Sequence, residues 1–347
     1  MSHVDIRQDG CAGRITLNRP DALNAITLPM VEAIDAALQN WANDPSIKML
    51  IIDAIGPRAF CAGGDIAAIY ASGITGDYSL GRAFWQREYR MNARMAAFPK
   101  PVASFMQGFT MGGGVGIGCH ASHRVVCENS QISMPECAIG LVPDAGGSLL
   151  LAQAPGRLGE YLAVTGARMD AADAIFAGFA DYNVPQEQWA GLIACLCETG
   201  DWLQIGAAAQ PVAASQLAQD QPMLDAEFGG ESLADIYRGL PDTLSGPVTK
   251  SLKAMSHNSP LSMAYSLELI HRVKMRPTMA NALDQEYRFT YRCMEYGDFL
   301  EGIRAAIIDK DRKPHWRHKD WQAVKGADLL RMTMPLGTEA LNLEGLA

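Results

Sequence analysis

No stretch of about 18 uncharged, apolar residues occurs in this 347-residue chain, which excludes a membrane-spanning helix. Positive charge is scarce: 29 Lys and Arg stand against 38 Asp and Glu, a net charge of -9. A sequence-independent grip on nucleic acid needs clustered cations, so that class of partner is excluded, although a local basic patch could hold one anionic small molecule. The eight cysteines contain one close pair, Cys195 and Cys197, with no Cys-x-x-Cys repeat and no neighbouring histidine cluster. Neither a metal site nor a disulfide framework is expected, and the thiols read as reduced and buried. G-x-S-x-G, H-E-x-x-H and Walker A patterns are absent, and no frame of residues 108 to 118 gives G-x-G-x-x-G after the strand that precedes it. The opening residues Met1 to Gly10 carry neither an apolar signal core nor an Arg-rich amphipathic pattern, so a cytoplasmic location is expected.

What remains is 48% apolar and 19% charged residues, a mixture typical of a chain that buries a core of its own. The first third alternates strand and helix signals, which predicts layered α/β architecture. Gly13 to Leu17, Lys48 to Asp53 and Val102 to Met106 read as strands, and 29–41 and 78–98 as helices, the second ended by Pro99 and Pro101. Beyond residue 150 helices dominate: Asp170 is an expected N-cap for Ala171 to Ala177, with Gly178 as a stop. Residues 203 to 247, rich in Gln, Pro, Gly and Asp, read as looser connecting structure. Helices are expected again from Val248 to Ile308, interrupted at Pro260 and Pro277, and the residues after Leu330 contain little that would anchor them. The length fits two regions, a catalytic core over 1–205 and a mostly helical region over 206–347.

Acidic residues in apolar surroundings carry the functional signal, because an uncompensated buried charge is costly and must be paired, hydrogen-bonded or used. Glu136 lies among Met134, Cys137, Ala138 and Ile139, and glutamate is a poor helix cap. Such surroundings raise a carboxyl toward the range where it works as acid or base. Asp144, eight residues later before Ala145-Gly146-Gly147, reads equally as a second functional acid or as the cap of a helix running to Gln153. Glu88 has Phe84, Trp85, Met91 and Asn92 at helical spacing, with no cation to pair it, so its face points inward or is partly exposed. Two glycine-rich turns, around Gly63-Gly64 and Met111-Gly112-Gly113-Gly114-Val115-Gly116, offer backbone N–H groups suited to a developing oxyanion. Tight strand-to-helix packing is the alternative use of the second run.

Arg58-Ala59-Phe60-Cys61-Ala62-Gly63-Gly64-Asp65-Ile66, Met111-Gly112-Gly113-Gly114 and Met134-Pro135-Glu136 resemble the enoyl-CoA hydratase/isomerase, or crotonase, superfamily. Pro143-Asp144-Ala145-Gly146-Gly147 and the stretch from Asp298 to Asp311 resemble, within it, the 3-hydroxyisobutyryl-CoA hydrolases, and the likeness covers residues 10 to 320. The resemblance implies a spiral of ββα units followed by a helical C-terminal region. It implies an acyl-CoA substrate, with coenzyme A as part of that substrate and no separate cofactor or metal. Gly64 and Gly113 would form the oxyanion hole, Glu136 and Asp144 would be catalytic, and Glu88 would contact substrate. The reaction implied is hydrolysis of a 3-hydroxyacyl-CoA thioester, 3-hydroxyisobutyryl-CoA in valine catabolism. Glu136 would act as general base or as nucleophile. Hydratases of the superfamily carry a second glutamate where this chain has Gly116, which turns the reading from hydratase to hydrolase. An enoyl-CoA hydratase and a non-catalytic acyl-CoA binder stay as alternatives, because one fold hosts many functions. Arg19, Arg58 and Lys310 are candidates for the CoA phosphates, and a trimer-based homo-oligomer is compatible with the family.

Overall fold

The computed structural model describes residues 3–240 and 247–345. Nine strands are divided between two sheets. The larger has the order β1 (Val4–Asp9), β2 (Ala12–Leu17), β3 (Met49–Ala54), β5 (Val102–Phe105), β7 (His123–Val126) and β9 (Tyr182–Asn183). The smaller has β4 (Ala59–Cys61), β6 (Phe109–Met111) and β8 (Gln131–Ser133). Among the described residues, β1 and β2 pair antiparallel as a hairpin, and the other strand-to-strand ladders are parallel. The chain therefore visits the sheets alternately: β3 to β4, β5 to β6, β7 to β8. Each circuit adds one strand to each sheet, which is the expected spiral of ββα turns.

The strands form where apolar runs are buried on both faces. Met49 to Ile52 are all buried, as parallel strands covered on two sides require. Helix α1 (Leu28–Ala42) buries Met30, Val31, Ile34 and Leu38 and packs along α3 (Ser79–Ala96). In chain order the short α2 (Ala67–Gly73) lies between them, α4 (Gly113–Gly118) follows β6, and α5 (Gly147–Gln153) comes after β8. The larger of two buried clusters draws residues from Val4 to Leu341, and the smaller gathers Met49, Ile51 and Phe105 with Trp189 and Leu196. No helix among the described residues is long and apolar enough to cross a membrane.

Two expectations need correction. Residues 203 to 240 are mostly helical, as Leu203–Ala208, Gln216–Glu227 and Leu233–Gly239; residues 241–246 lie outside the described part. Ser215 and Ser232 cap the second and third helices, and Leu217, Leu224, Leu233 and Ile236 are buried, so tertiary burial overrides the weak local propensity. The end of the chain is anchored too. Helix Gly326–Thr333 buries Met332, Leu341 joins the core, and Arg292 donates to the Met334 carbonyl at 2.8 Å. Those carbonyl contacts are long-range and leave no local sequence pattern.

Pro260 opens the helix Pro260–Met275 at a position where the missing N–H costs nothing, behind the N-cap Ser259. Fully buried Ser259 accepts from the Ser262 amide at 3.1 Å and donates to Asp298 Oδ2 at 2.6 Å. Its own amide donates to the Cys137 carbonyl at 2.9 Å, in the turn Glu136–Ile139. This serine therefore ties the C-terminal helices to the segment that carries Glu136. Ser259→Ala removes a cap and a donor to a buried carboxylate, and is expected to lower unfolding free energy by about 1–3 kcal/mol, read from the urea midpoint at unchanged slope.

Candidate active site

Three adjacent parallel strands end at the same cavity. After β4 the chain turns through Gly63 and Gly64, after β6 through Gly112 and Gly113, and after β8 through Pro135 to Glu136. Cys61 is in register with Thr110, so Gly64 and Gly113 each follow a paired position by three residues. The backbones consequently arrive side by side, separated by about one inter-strand spacing. A Cβ built on Gly113 would lie 3.6 Å from the Gly64 nitrogen and 2.5 Å from Glu88 Oε1.

Each amide is left available by its local structure. Ile26 donates to the Gly63 carbonyl and accepts from Asp65, both at 2.8 Å, which pins the turn on either side of Gly64 and directs its own N–H away. Gly113 opens α4, where the first N–H groups have no intrahelical acceptor. Gly112, before it, has φ 52° and ψ -119°, a conformation glycine reaches without strain, and a Cβ there would come 2.8 Å from Glu136 Oε1. The carboxyl of Glu136 therefore faces the same point as the two amides.

The cavity measures about 530 Å³ and is lined by Gly64, Gly113, Glu88, Glu136 and Asp144, with Phe84, Trp85 and Ile307 among its apolar walls. All five residues singled out from sequence are thus brought together. Glu88, on the inward face of α3, is 2% exposed. Among the described residues, its Oε1 and the Oε2 of Glu136 are buried without a hydrogen-bond partner. Both carboxyls are held well above the usual carboxylate range, first by burial and then by the charge of Asp144. Asp144 is pushed up to about 7 by burial, opposed by the Tyr89 hydroxyl, which donates to its Oδ2 at 2.8 Å.

Asp144 does not cap α5. The cap position is Gly146, and the capping acid is Glu286, from the helix Met279–Thr290. Glu286 Oε2 accepts from the Gly146 amide at 2.9 Å and Oε1 from the Ser148 amide at 3.2 Å, with the Ser148 hydroxyl also donating to Oε1. It is fully buried, and burial pushes it up to about 8 against those three donors. Sequence reasoning missed this fourth acid. Its signal was the one that revealed Glu88: Ala282, Leu283, Phe289 and Thr290 at helical spacing, with no cation among them.

Of the three proposed phosphate ligands, only Arg19 lines the cavity, ion-paired to Asp65 at 2.8 Å. Arg58 and Lys310 are exposed and line no part of it. Gly116 is closely packed: a Cβ there would lie 2.8 Å from Asn92 Nδ2 and 2.9 Å from the Ala145 Cβ.

Residues 12–332 match the enoyl-CoA hydratase/isomerase family. The mitochondrial 3-hydroxyisobutyryl-CoA hydrolase of Xenopus laevis is 36% identical, aligned over 96% of this chain and 89% of its own length. Among solved structures, an enoyl-CoA hydratase from Rhodobacter sphaeroides 2.4.1 superposes with a TM-score of 0.94 at 55% identity, covering 98% of this chain and all of that one. A carnitinyl-CoA dehydratase from Mycobacterium thermoresistibile also reaches 0.94, at 36% identity, covering 99% of this chain and all of that one.

The buried acids make stability depend on pH with a definite sign. Asp144 and Glu286 rise from 3.8 and 4.5 to about 7 and about 8, so the folded state binds more protons than the unfolded chain between those values. Their contribution is fully present below about pH 4 and is lost as pH rises through 7 and 8. Denaturant unfolding at a series of pH values should show free energy falling across that window, and Asp144→Asn should flatten the fall. An unchanged slope in the variant would contradict the assignment.

Proposed function

The chain belongs to the enoyl-CoA hydratase/isomerase family, and from that premise we propose that it hydrolyses short 3-hydroxyacyl-CoA thioesters, 3-hydroxyisobutyryl-CoA foremost. The observation that carries the choice of chemistry is glycine at position 116, closely packed so that even a Cβ there would come within 3 Å of Asn92 and Ala145. Adding water across a conjugated double bond is served by two carboxylates on the attacking water, and one of those positions is closed here. Thioester hydrolysis needs an oxyanion hole and one acid to activate water or attack directly, with a further acid to orient the substrate.

In this reading the Gly64 and Gly113 amides bind the thioester oxygen as negative charge develops, a contribution of about 10²- to 10³-fold per donor. Ionised Glu136 removes a proton from water as it adds to the carbonyl carbon, or attacks that carbon itself to give an anhydride that water then opens. The tetrahedral centre collapses with loss of the CoA thiolate, which takes up a proton. Asp144, steadied by Tyr89, and Glu88 meet the substrate's hydroxyl. Arg19 lines the cavity wall, where its guanidinium, shared with Asp65, would also meet the phosphate-bearing part of CoA. The resulting 3-hydroxy acid fits a step of valine breakdown.

The hydratase reading draws support from the description of the 55% identical Rhodobacter protein. Free-thiol release from 3-hydroxyisobutyryl-CoA, set beside loss of enoyl absorbance from crotonyl-CoA, decides between them. Thiol release is expected, and Glu136→Gln should reduce it by about 10²- to 10⁴-fold. Enoyl loss without thiol release would restore the hydratase, and neither signal would leave an acyl-CoA binder. Because Glu136 must be ionised to act and is held above the usual carboxylate range by burial and Asp144, kcat/KM should rise with pH well above the ordinary glutamate value. Its apparent pKa would belong to the acidic cluster as a whole.

A further inference from the structure

We propose that Glu286 is a positioning residue for this reaction: by holding the amides that open α5, it keeps the carboxylate of Asp144 free to face the cavity. The inference rests on the hydrolase reading above.

The argument is one of competition between two acids. Asp144 lies two residues before the helix cap, Gly146, which has no side chain of its own to offer the exposed amides. An aspartate at that place is close enough in sequence for its side chain to compete for those amides, and its own carbonyl already accepts from the Gly147 amide at 2.8 Å. The structure gives the capping of those amides to Glu286, 142 residues after Asp144. Glu286 takes the Gly146 amide at 2.9 Å, the Ser148 amide at 3.2 Å and the Ser148 hydroxyl, so both its oxygens are engaged. Asp144 is left with the Tyr89 hydroxyl at 2.8 Å and an orientation that lines the cavity.

The turn between them is held from a second side. Ala145 has φ 54°, in the left-handed region disfavoured for a residue with a side chain, and Gly146 follows at φ 81°. Two successive residues of that hand persist only where their surroundings determine them. The Ala145 carbonyl lies 3.0 Å from His120 Nε2 and 3.5 Å from Asn92 Nδ2. His120 and Asn92 thus grip the turn by its carbonyl, and Glu286 grips it by the next amides. With the Glu286 contacts removed, the freed amides and the relaxing turn would draw the Asp144 carboxylate out of the cavity and onto the helix.

A double-mutant cycle tests this. Assayed above about pH 8, where Glu286 is ionised, Glu286→Gln keeps size and shape but turns one acceptor oxygen into a donor, so the Gly146 and Ser148 amides can no longer both be satisfied. Wild-type thiol release from 3-hydroxyisobutyryl-CoA is measured first and judges the hydrolase reading alone; without it, the cycle is run on crotonyl-CoA hydration. E286Q is expected to lower kcat by about 10- to 100-fold while KM stays within about twofold. In an Asp144→Asn background, the same substitution should change kcat by less than about twofold, because its effect passes through Asp144. An equal loss in both backgrounds, an unchanged kcat in E286Q, or full activity in D144N would each overturn the proposal. Far-ultraviolet circular dichroism and urea unfolding establish that the variants are folded. Should E286Q not fold, Ser148→Ala, which removes one donor and leaves the Glu286 carboxyl in place, enters the same cycle and is judged by the same non-additivity.

Discussion

Parallel pairing of three very short strands is the constraint on which the site depends. β4, β6 and β8 have three residues each, too few to stabilise a sheet alone. They are held because each follows a longer, buried strand of the six-stranded sheet along the spiral. The register of Cys61 with Thr110, and of Met111 with Ser133, then fixes where each chain leaves the sheet. Gly64, Gly113 and Glu136 emerge at one edge with their separations already set. A slip of one residue in any pair would rotate an amide or the carboxyl to the opposite face.

Four acids share the space behind that edge with little positive charge to offset them. Arg19, the cation on the cavity wall, is already committed to Asp65. Protonation is therefore how the cluster avoids the cost of burying several charges together. The four are nonetheless unequal. Glu286 receives three donors and Asp144 the Tyr89 hydroxyl, whereas Glu88 and Glu136 each retain an unpartnered oxygen. Hydrogen-bond satisfaction thus falls from the helix-bound side of the cluster toward the cavity, leaving the least satisfied oxygens where a water or substrate hydroxyl would find them.

Much of this was legible in the chain because local pattern and function coincided. Glu88 was readable as inward-facing from its apolar neighbours, and Glu136 from its poor fit to any capping role. The strands around 12–17 and 49–54 followed from apolar runs, within a residue or so at either end. Asp144 was ambiguous for a physical reason: its fate depends on a competitor 142 residues later, and no local rule reports which acid reaches an amide first. The same non-locality hid the helices of 203–240 and the anchoring of the C-terminus, both decided by burial against distant elements. Glu286 had a readable helix pattern, but nothing nearby to mark it as belonging with the other acids.

The crowding at Gly116 has a consequence for how such proteins diverge. Installing a carboxylate there would drive its first carbon into Asn92 and Ala145, and those two residues also help hold the turn that presents Asp144. A carboxylate at this position therefore has to be accompanied by changes that make room beside Asn92 and Ala145, because overpacking a closely packed interior is itself destabilising.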